Sequence, residues 1–208
     1  MRVAIDLDQT LFECKSSIYK LAAKLEGHIP KPFNKSVFLD KKEFYSKVHR
    51  ETRNLYGKIG DPKYYEEING SVDMVNKLAE DGHQIVFLSS RPNMRAMNNV
   101  VLTWLENKSV NYDFLVVNCP NKAKFCQKYK VDVLVDDSLK NCTQVTKVGI
   151  PAVLLDTRGK YDFTKEKFVS NKKLKHAKNW RNAYSIVREI AQQKEKAGES
   201  GGELVPMP

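Results

Sequence analysis

The 208-residue sequence contains no apolar run near the length of about 20 residues that a membrane-spanning helix needs. Nor does it open with the charged, apolar and small-residue succession of a secretory leader, so a cytoplasmic location is expected. Cysteine is scarce. Cys14, Cys119, Cys126 and Cys142 are the only four, and no two share a C-x-x-C spacing. That argues against a zinc site or a disulfide frame and for reduced thiols used as small apolar filler. No internal repeat is present. Acidic residues are short in two stretches: residues 15–67 carry 12 Lys and Arg against 7 Asp and Glu, and residues 158–196 carry 12 against 4.

What is there is enough to build a core. Hydrophobic residues make up 41% of the chain and charged residues 29%, a balance that suits a soluble α/β domain with an insertion. The net charge of +10 draws phosphate-bearing substrates and can also bind nucleic acid. The plainer reading of the same lysines is a solvated, solubilising surface.

The apolar run Val3 to Leu7 reads as a central strand buried on both faces. It ends in Asp6-Leu7-Asp8-Gln9-Thr10, and strand alternation places Asp6 and Asp8 on one side of the backbone. Carboxylates so close repel each other and call for a cation between them. A hard divalent ion with oxygen ligands fits, and Mg²⁺ is the usual one beside phosphate.

Residues 14–69 read as a helical insertion. Ser16 or Ser17 caps a helix that ends at Gly27, Asp40 to Glu43 opens another that closes at Gly57, and Asp61-Pro62 starts a short one bearing Tyr64 and Tyr65. From Gly70 the chain alternates. A helix with Val72, Val75 and Leu78 precedes a strand from Gln84 to Ser89, and a helix with Trp104 and Leu105 precedes a strand from Phe114 to Val117. Lys122 opens a short helix. Val131 to Val135 is a strand ending in Asp136-Asp137-Ser138, and Ala152 to Leu155 is a fifth. Arg158 to Lys178 reads as basic and mostly irregular. Trp180, Ala183, Val187 and Ile190 share one face of a last helix, and residues 194–208 read as a disordered tail.

Such alternation implies a parallel sheet covered on both faces, with working groups at the carboxyl ends of its strands. Phosphate-ester hydrolysis needs a nucleophile, charge neutralisation and a proton for the leaving oxygen. Asp6 can attack phosphorus, and Asp8 can give and take the proton while its carbonyl ligates metal. Ser89, with Ser90 beside it, can donate to a phosphate oxygen. Lys122 supplies a fixed positive charge. Arg91 either reaches the phosphate or pairs on the surface. Asp6, Asp8, Asp136 and Asp137 make the metal set, with one of the last two a direct ligand, and Thr10 satisfies turn amides behind Asp6.

In order, Asp6-Leu7-Asp8-Gln9-Thr10, the strand ending at Ser89, Lys122 and the strand ending Asp136-Asp137 resemble the four motifs of the haloacid dehalogenase (HAD) superfamily. The resemblance covers about residues 2–157 outside the insertion. It implies a HAD-like Rossmannoid three-layer sandwich with a parallel central sheet and a small α-helical cap inserted after the first strand. The core would be 1–13 and 70–193, and the cap 14–69. It also implies a Mg²⁺-dependent phosphatase with Asp6 as nucleophile. Asp61-Pro62-Lys63-Tyr64-Tyr65-Glu66-Glu67-Ile68, Ser89-Ser90-Arg91-Pro92 and the Trp180 helix resemble the 5'(3')-deoxyribonucleotidase branch. Two positions depart from it. Gln9 stands where many relatives carry Gly, and Cys14 stands where an aromatic residue often packs on the base; Phe12, Tyr45, Tyr64 or Tyr65 would have to replace it.

The leading expectation is therefore a nucleotidase acting on nucleoside monophosphates. A polynucleotide 3'-end phosphatase has the same chemistry and draws on the basic charge. A HAD-fold binding protein without catalysis is the reading from another class, and the intact acid and lysine set argues against it.

Overall fold

The computed structural model describes residues 1–13, 65–91, 93, 95–163 and 171–198. Most of the expected helical cap, residues 14–64, and the end of the expected tail, residues 199–208, lie outside the described residues.

Eight strands and five helices are present among the described residues. The strands are β1 (Arg2–Ile5), β2 (Phe12–Glu13), β3 (Glu66–Glu67), β4 (Gln84–Leu88), β5 (Phe114–Val116), β6 (Val133–Asp136), β7 (Ala152–Leu155) and β8 (Leu174–Ala177). The helices are α1 (Ser71–Glu80), α2 (Arg95–Asn107), α3 (Lys122–Lys128), α4 (Leu139–Lys147) and α5 (Trp180–Lys196).

Six strands form one parallel sheet in the order β5-β4-β1-β6-β7-β8. β1 is central, with Val3 opposite both Ile85 of β4 and Val133 of β6. Its residues are buried throughout because helices cover both faces. Val3 and Ile5 point into a core shared with Val75 of α1, Trp104 of α2 and Val187 of α5. Ala4 points the other way, to Cys126 of α3 and Cys142 and Val145 of α4. This is the expected α/β three-layer sandwich. Each fully buried Val or Leu contributes about 1.5–3 kcal/mol of transfer free energy.

Helix starts follow the local chemistry. Asn121, Ser138 and Asn179 cap α3, α4 and α5, their side chains accepting from the backbone N–H of Lys124, Asn141 and Asn182. Ser138 and Asn121 thereby fix the first turns of the two helices that follow β6 and β5.

Three features differ from the sequence reading. Residues 174–177 form the sixth strand, β8, inside the stretch expected to be irregular. Lys175 hid it: an edge strand carries exposed charge where a central one cannot. Phe12–Glu13 pairs antiparallel with Glu66–Glu67, so the two roots of the insertion form a small second sheet and Tyr65 is not helical. Finally, α5 runs to Lys196 rather than ending at 193; Lys194 and Lys196 in its last turn suit the negative end of the helix dipole.

Candidate active site

Asp6 directly follows the last residue of β1. Its backbone N–H donates to the Val135 carbonyl at 2.9 Å, so β1 stays pinned to β6 one residue past its end. That brings the Asp6 carboxylate beside Asp136, the last residue of β6. The chain then turns sharply. The N–H groups of Thr10 and Leu11 donate to the Leu7 carbonyl at 3.3 and 2.9 Å, and Gln9 adopts a left-handed φ of 67°. A non-glycine residue is strained there, by about 1 kcal/mol or more. Both polar side-chain atoms of Gln9 are also buried without a hydrogen-bond partner among the described residues.

Thr10 ties the turn to the opposite strand tip. Its hydroxyl lies 3.4 Å from Asp6 Oδ2 and accepts the Asp137 N–H at 3.1 Å. The amide it satisfies therefore belongs to β6's exit, not to its own turn. Behind it, the buried Trp180 indole donates to the Thr10 carbonyl at 2.8 Å.

Lys122, the first residue of α3, is buried and places its ammonium between two acids. Nζ donates to the Asp6 carboxylate and to Asp136 Oδ2, the latter at 2.6 Å. Asp136 is fully buried and also accepts from Asn141 Nδ2 at 3.0 and 3.2 Å and from the Ser138 N–H at 2.8 Å. Asp137 is half-buried and receives the exposed Lys160 ammonium at 3.2 Å. One carboxylate oxygen from each of Asp6, Asp136 and Asp137 lies within 4.8 Å of the others. Burial disfavours the charged Lys122, but Asp6 and Asp136 outweigh it and hold its pKa above lysine's ordinary value. Burial, with Asp136 and Asp8 adding to it, raises the Asp6 carboxyl well above the usual carboxylate range against the pull of Lys122.

Three hard carboxylates around one point are a fitting donor set for Mg²⁺. With two ammonium groups among them the cluster still carries excess negative charge, which a dication would reverse to the sign a phosphate needs.

Asp8 stands apart from that cluster. Its carboxylate receives the Arg91 guanidinium through two bonds, Nε to Oδ2 at 2.7 Å and Nη2 to Oδ1 at 2.5 Å. Arg91 is buried, so the reading of it as a surface pair does not hold; its side chain points at Asp8. Ser89 is fully buried at the tip of β4, and its Oγ accepts the Arg91 N–H at 3.2 Å. Ser90 is exposed and donates to the Cys119 carbonyl at 3.0 Å. Of the two hydroxyls, Ser89 is the one enclosed with the acids' supporting groups.

The structure thus brings Asp6, Lys122, Asp136 and Asp137 together and sets Asp8 with Arg91 next to them. Sequence reasoning missed Asn141 and Lys160. Asn141 had a signal, since it falls on the first turn after a capped strand tip. Lys160 had none, being one lysine in a basic stretch.

Solved structures with the same architecture include a haloacid dehalogenase-like hydrolase from Streptococcus pneumoniae, at TM-score 0.60 and 13% identity over 89% of this chain and 97% of that one. A HAD-hydrolase from Bacillus subtilis, bound to magnesium, matches at TM-score 0.61 and 10% identity over 89% and 97%. A HAD phosphatase from Thermococcus onnurineus matches at 0.56 and 15% over 89% and 97%. The fold is HAD-like. No family model matches the sequence, and no curated protein matches it. In the HAD-like frame, the described site lies where α/β sheets of this kind carry their chemistry, at the carboxyl ends of adjacent parallel strands.

Proposed function

We propose that the protein is a Mg²⁺-dependent phosphomonoesterase that works through an aspartyl-phosphate on Asp6 and acts on nucleoside or deoxynucleoside monophosphates. The observation that carries the reading is the meeting of Asp6, Lys122 and Asp136, from three separate parts of the chain, with Asp137 in the same cluster.

Asp6 attacks phosphorus, and an Asp6 oxygen–phosphorus bond forms as the bond to the leaving oxygen breaks. Asp8 gives that oxygen its proton. Water then attacks the phosphorus, Asp8 takes a proton from it, the bond to Asp6 breaks, and inorganic phosphate leaves. Lys122 holds its charge between Asp6 and Asp136 throughout and offsets the negative charge of the transferring group. Asp6, Asp136 and Asp137 would hold Mg²⁺, which when bound supplies the positive charge that lets carboxylate and phosphate approach. Thr10, Trp180 and Asn141 fix the acids' directions.

The nucleotide assignment rests on the sequence resemblance to deoxyribonucleotidases. Phe12 and Tyr65 face Arg91 at 5.3 and 5.2 Å and pack on each other at 5.0 Å, so their rings are engaged away from a base. Base stacking then falls to Tyr45 or Tyr64. A second reading, a polynucleotide 3'-end phosphatase, draws on the exposed Lys172, Lys173, Lys175 and Lys178 along the sheet edge.

Phosphate release should be compared on dTMP, a sugar phosphate and a 3'-phosphorylated oligonucleotide, with and without EDTA. Turnover of dTMP that EDTA abolishes and Mg²⁺ restores supports the first reading. Preference for the oligonucleotide supports the second, and no release from any of them sinks both.

A further inference from the structure

The Arg91–Asp8 pair is built more elaborately than an ion pair needs. Both Asp8 oxygens are engaged by one rigid fork, at 2.7 and 2.5 Å. The guanidinium carbon sits over the Phe12 and Tyr65 rings, and Nη1 lies 3.4 Å from the Tyr65 hydroxyl. That cage is braced from behind. Phe12 packs edge-on against Trp104 at 5.0 Å, and the Trp104 indole donates to the Tyr65 carbonyl at 2.9 Å. The backbone is fixed too: the Arg91 N–H donates to Ser89 Oγ at 3.2 Å, and its carbonyl accepts from Asn118 at 2.7 Å.

A fork that donates to both oxygens at once matches a carboxylate, not a carboxylic acid. In the proposed reaction Asp8 is a carboxylate only after it has given its proton to the leaving group. The held form is therefore the one that faces the second half-reaction, in which water attacks the aspartyl-phosphate. With both oxygens held by the fork, the remaining lone pairs keep a fixed direction, which is what proton transfer from a single water requires.

We propose that Arg91 is a positioning residue for the hydrolytic half-reaction: it aims the Asp8 carboxylate at the water that releases phosphate from Asp6, and the aromatic cage at the roots of the insertion sets that aim. In that step the water oxygen–phosphorus bond forms, the phosphorus–Asp6 bond breaks, and the water proton passes to Asp8. This rests on the aspartyl-phosphate reading above.

The test is rapid-quench kinetics of the full chain with Mg²⁺ and p-nitrophenyl phosphate, together with intact-protein mass after acid quench. The wild type, Arg91→Ala, Arg91→Lys and Asp6→Asn would be compared. In Arg91→Ala we expect a burst of p-nitrophenolate close to one equivalent of enzyme. A steady rate slower by about tenfold or more should follow, with phosphorylated Asp6 accumulating. Added guanidinium should restore the steady rate. Arg91→Lys keeps the charge without the fork; it should accumulate phosphoenzyme as well, and it carries the test if Arg91→Ala does not fold. A raised KM with no burst would overturn the assignment and make Arg91 a phosphate ligand. Equal slowing of both halves, with no phosphoenzyme, would also overturn it. If the wild type itself never carries phosphate on Asp6 while Asp6→Asn stays active, the aspartyl-phosphate reading fails, and with it the role of Arg91.

Discussion

Asp6 and Asp8 leave β1 two residues apart and enter opposite surroundings. Asp6 is buried against an ammonium that it shares with Asp136. Asp8 has a side chain 35% exposed and a guanidinium fork on both its oxygens. The difference lies in the cations. An ammonium is a compact point charge that serves two acids and can serve a third anion without changing shape. A guanidinium is planar and directional, and it holds one carboxylate at a set angle. In the proposed mechanism this suits the inner acid to change bonding partners, and the outer acid to move protons along one line.

Breaking the inner acid should have the largest effect. Asp6→Asn is expected to lower kcat by at least about 10⁴-fold while the melting temperature holds, because Asn keeps the side chain's shape and an oxygen that accepts from Lys122, which also keeps Asp136 as its partner. Residual turnover near the wild-type rate would remove Asp6 from the nucleophile's role. Next, Lys122→Met leaves Asp6 and Asp136 facing each other without a cation, and chemical denaturation in EDTA should show a loss of about 3–5 kcal/mol. Added Mg²⁺ should return part of that. The outer acid should matter less: Asp8→Asn is expected to cost about 10²–10³-fold in kcat, with a smaller loss of stability than Lys122→Met, since the buried Arg91 guanidinium loses its carboxylate but Asp8 is itself partly solvated.

Two smaller effects probe what lies around the inner acid. Cys126 and Cys142 line the face of the sheet behind it, and Cys142 Sγ lies 3.6 Å from the Asp136 carbonyl. Burial pushes the Cys126 thiol from 9.0 up to about 12, and the Cys142 thiol rises as well. The unfolded chain then loses these protons first. Stability from them is complete below about pH 9 and should fall as pH rises toward 12, by up to about 1.4 kcal/mol per pH unit for each thiol. Denaturant midpoints at increasing pH check this, and Cys126→Ala should flatten the slope. Smallest of all, Gln9→Gly relieves a left-handed backbone and a buried amide with no hydrogen-bond partner among the described residues. It should raise stability by about 1–2 kcal/mol in a thermal melt. A destabilised variant would show that neither the backbone conformation nor the amide is a cost to the fold.

The inner site was largely legible in the sequence. Buried parallel strands read as continuous apolar runs, so the polar residues that end them at Asp6, Ser89 and Asp136 stand out, and α/β topology puts such ends on one rim. Lys122 followed from its position just after a strand. The outer site was legible only as names. Nothing local says that the fork of Arg91 turns back to Asp8, because that contact depends on how β4 sits beside β1. The β2–β3 pair is two residues per strand, too short to show a period, so Phe12 and Tyr65 could not be read as one cage. β8 was lost for a different reason: Lys175 in a four-residue edge strand erases the apolar signal that marks its neighbours.

The far end of β1 has a hold over this chemistry. The Arg2 backbone N–H donates to Asp132 at 2.6 Å, its Nε donates to Gln84 at 2.6 Å, and a further guanidinium bond reaches the Tyr129 carbonyl. These bolts lock β1 to its flanking strands like a ruler clamped at its zero mark. A slide of a single residue there would shift the opposite tip by about 3.3 Å and turn its side chains to the other face. Asp6 would then miss Lys122 altogether. Arg2 therefore acts on the proposed site by leverage, from the opposite end of the strand.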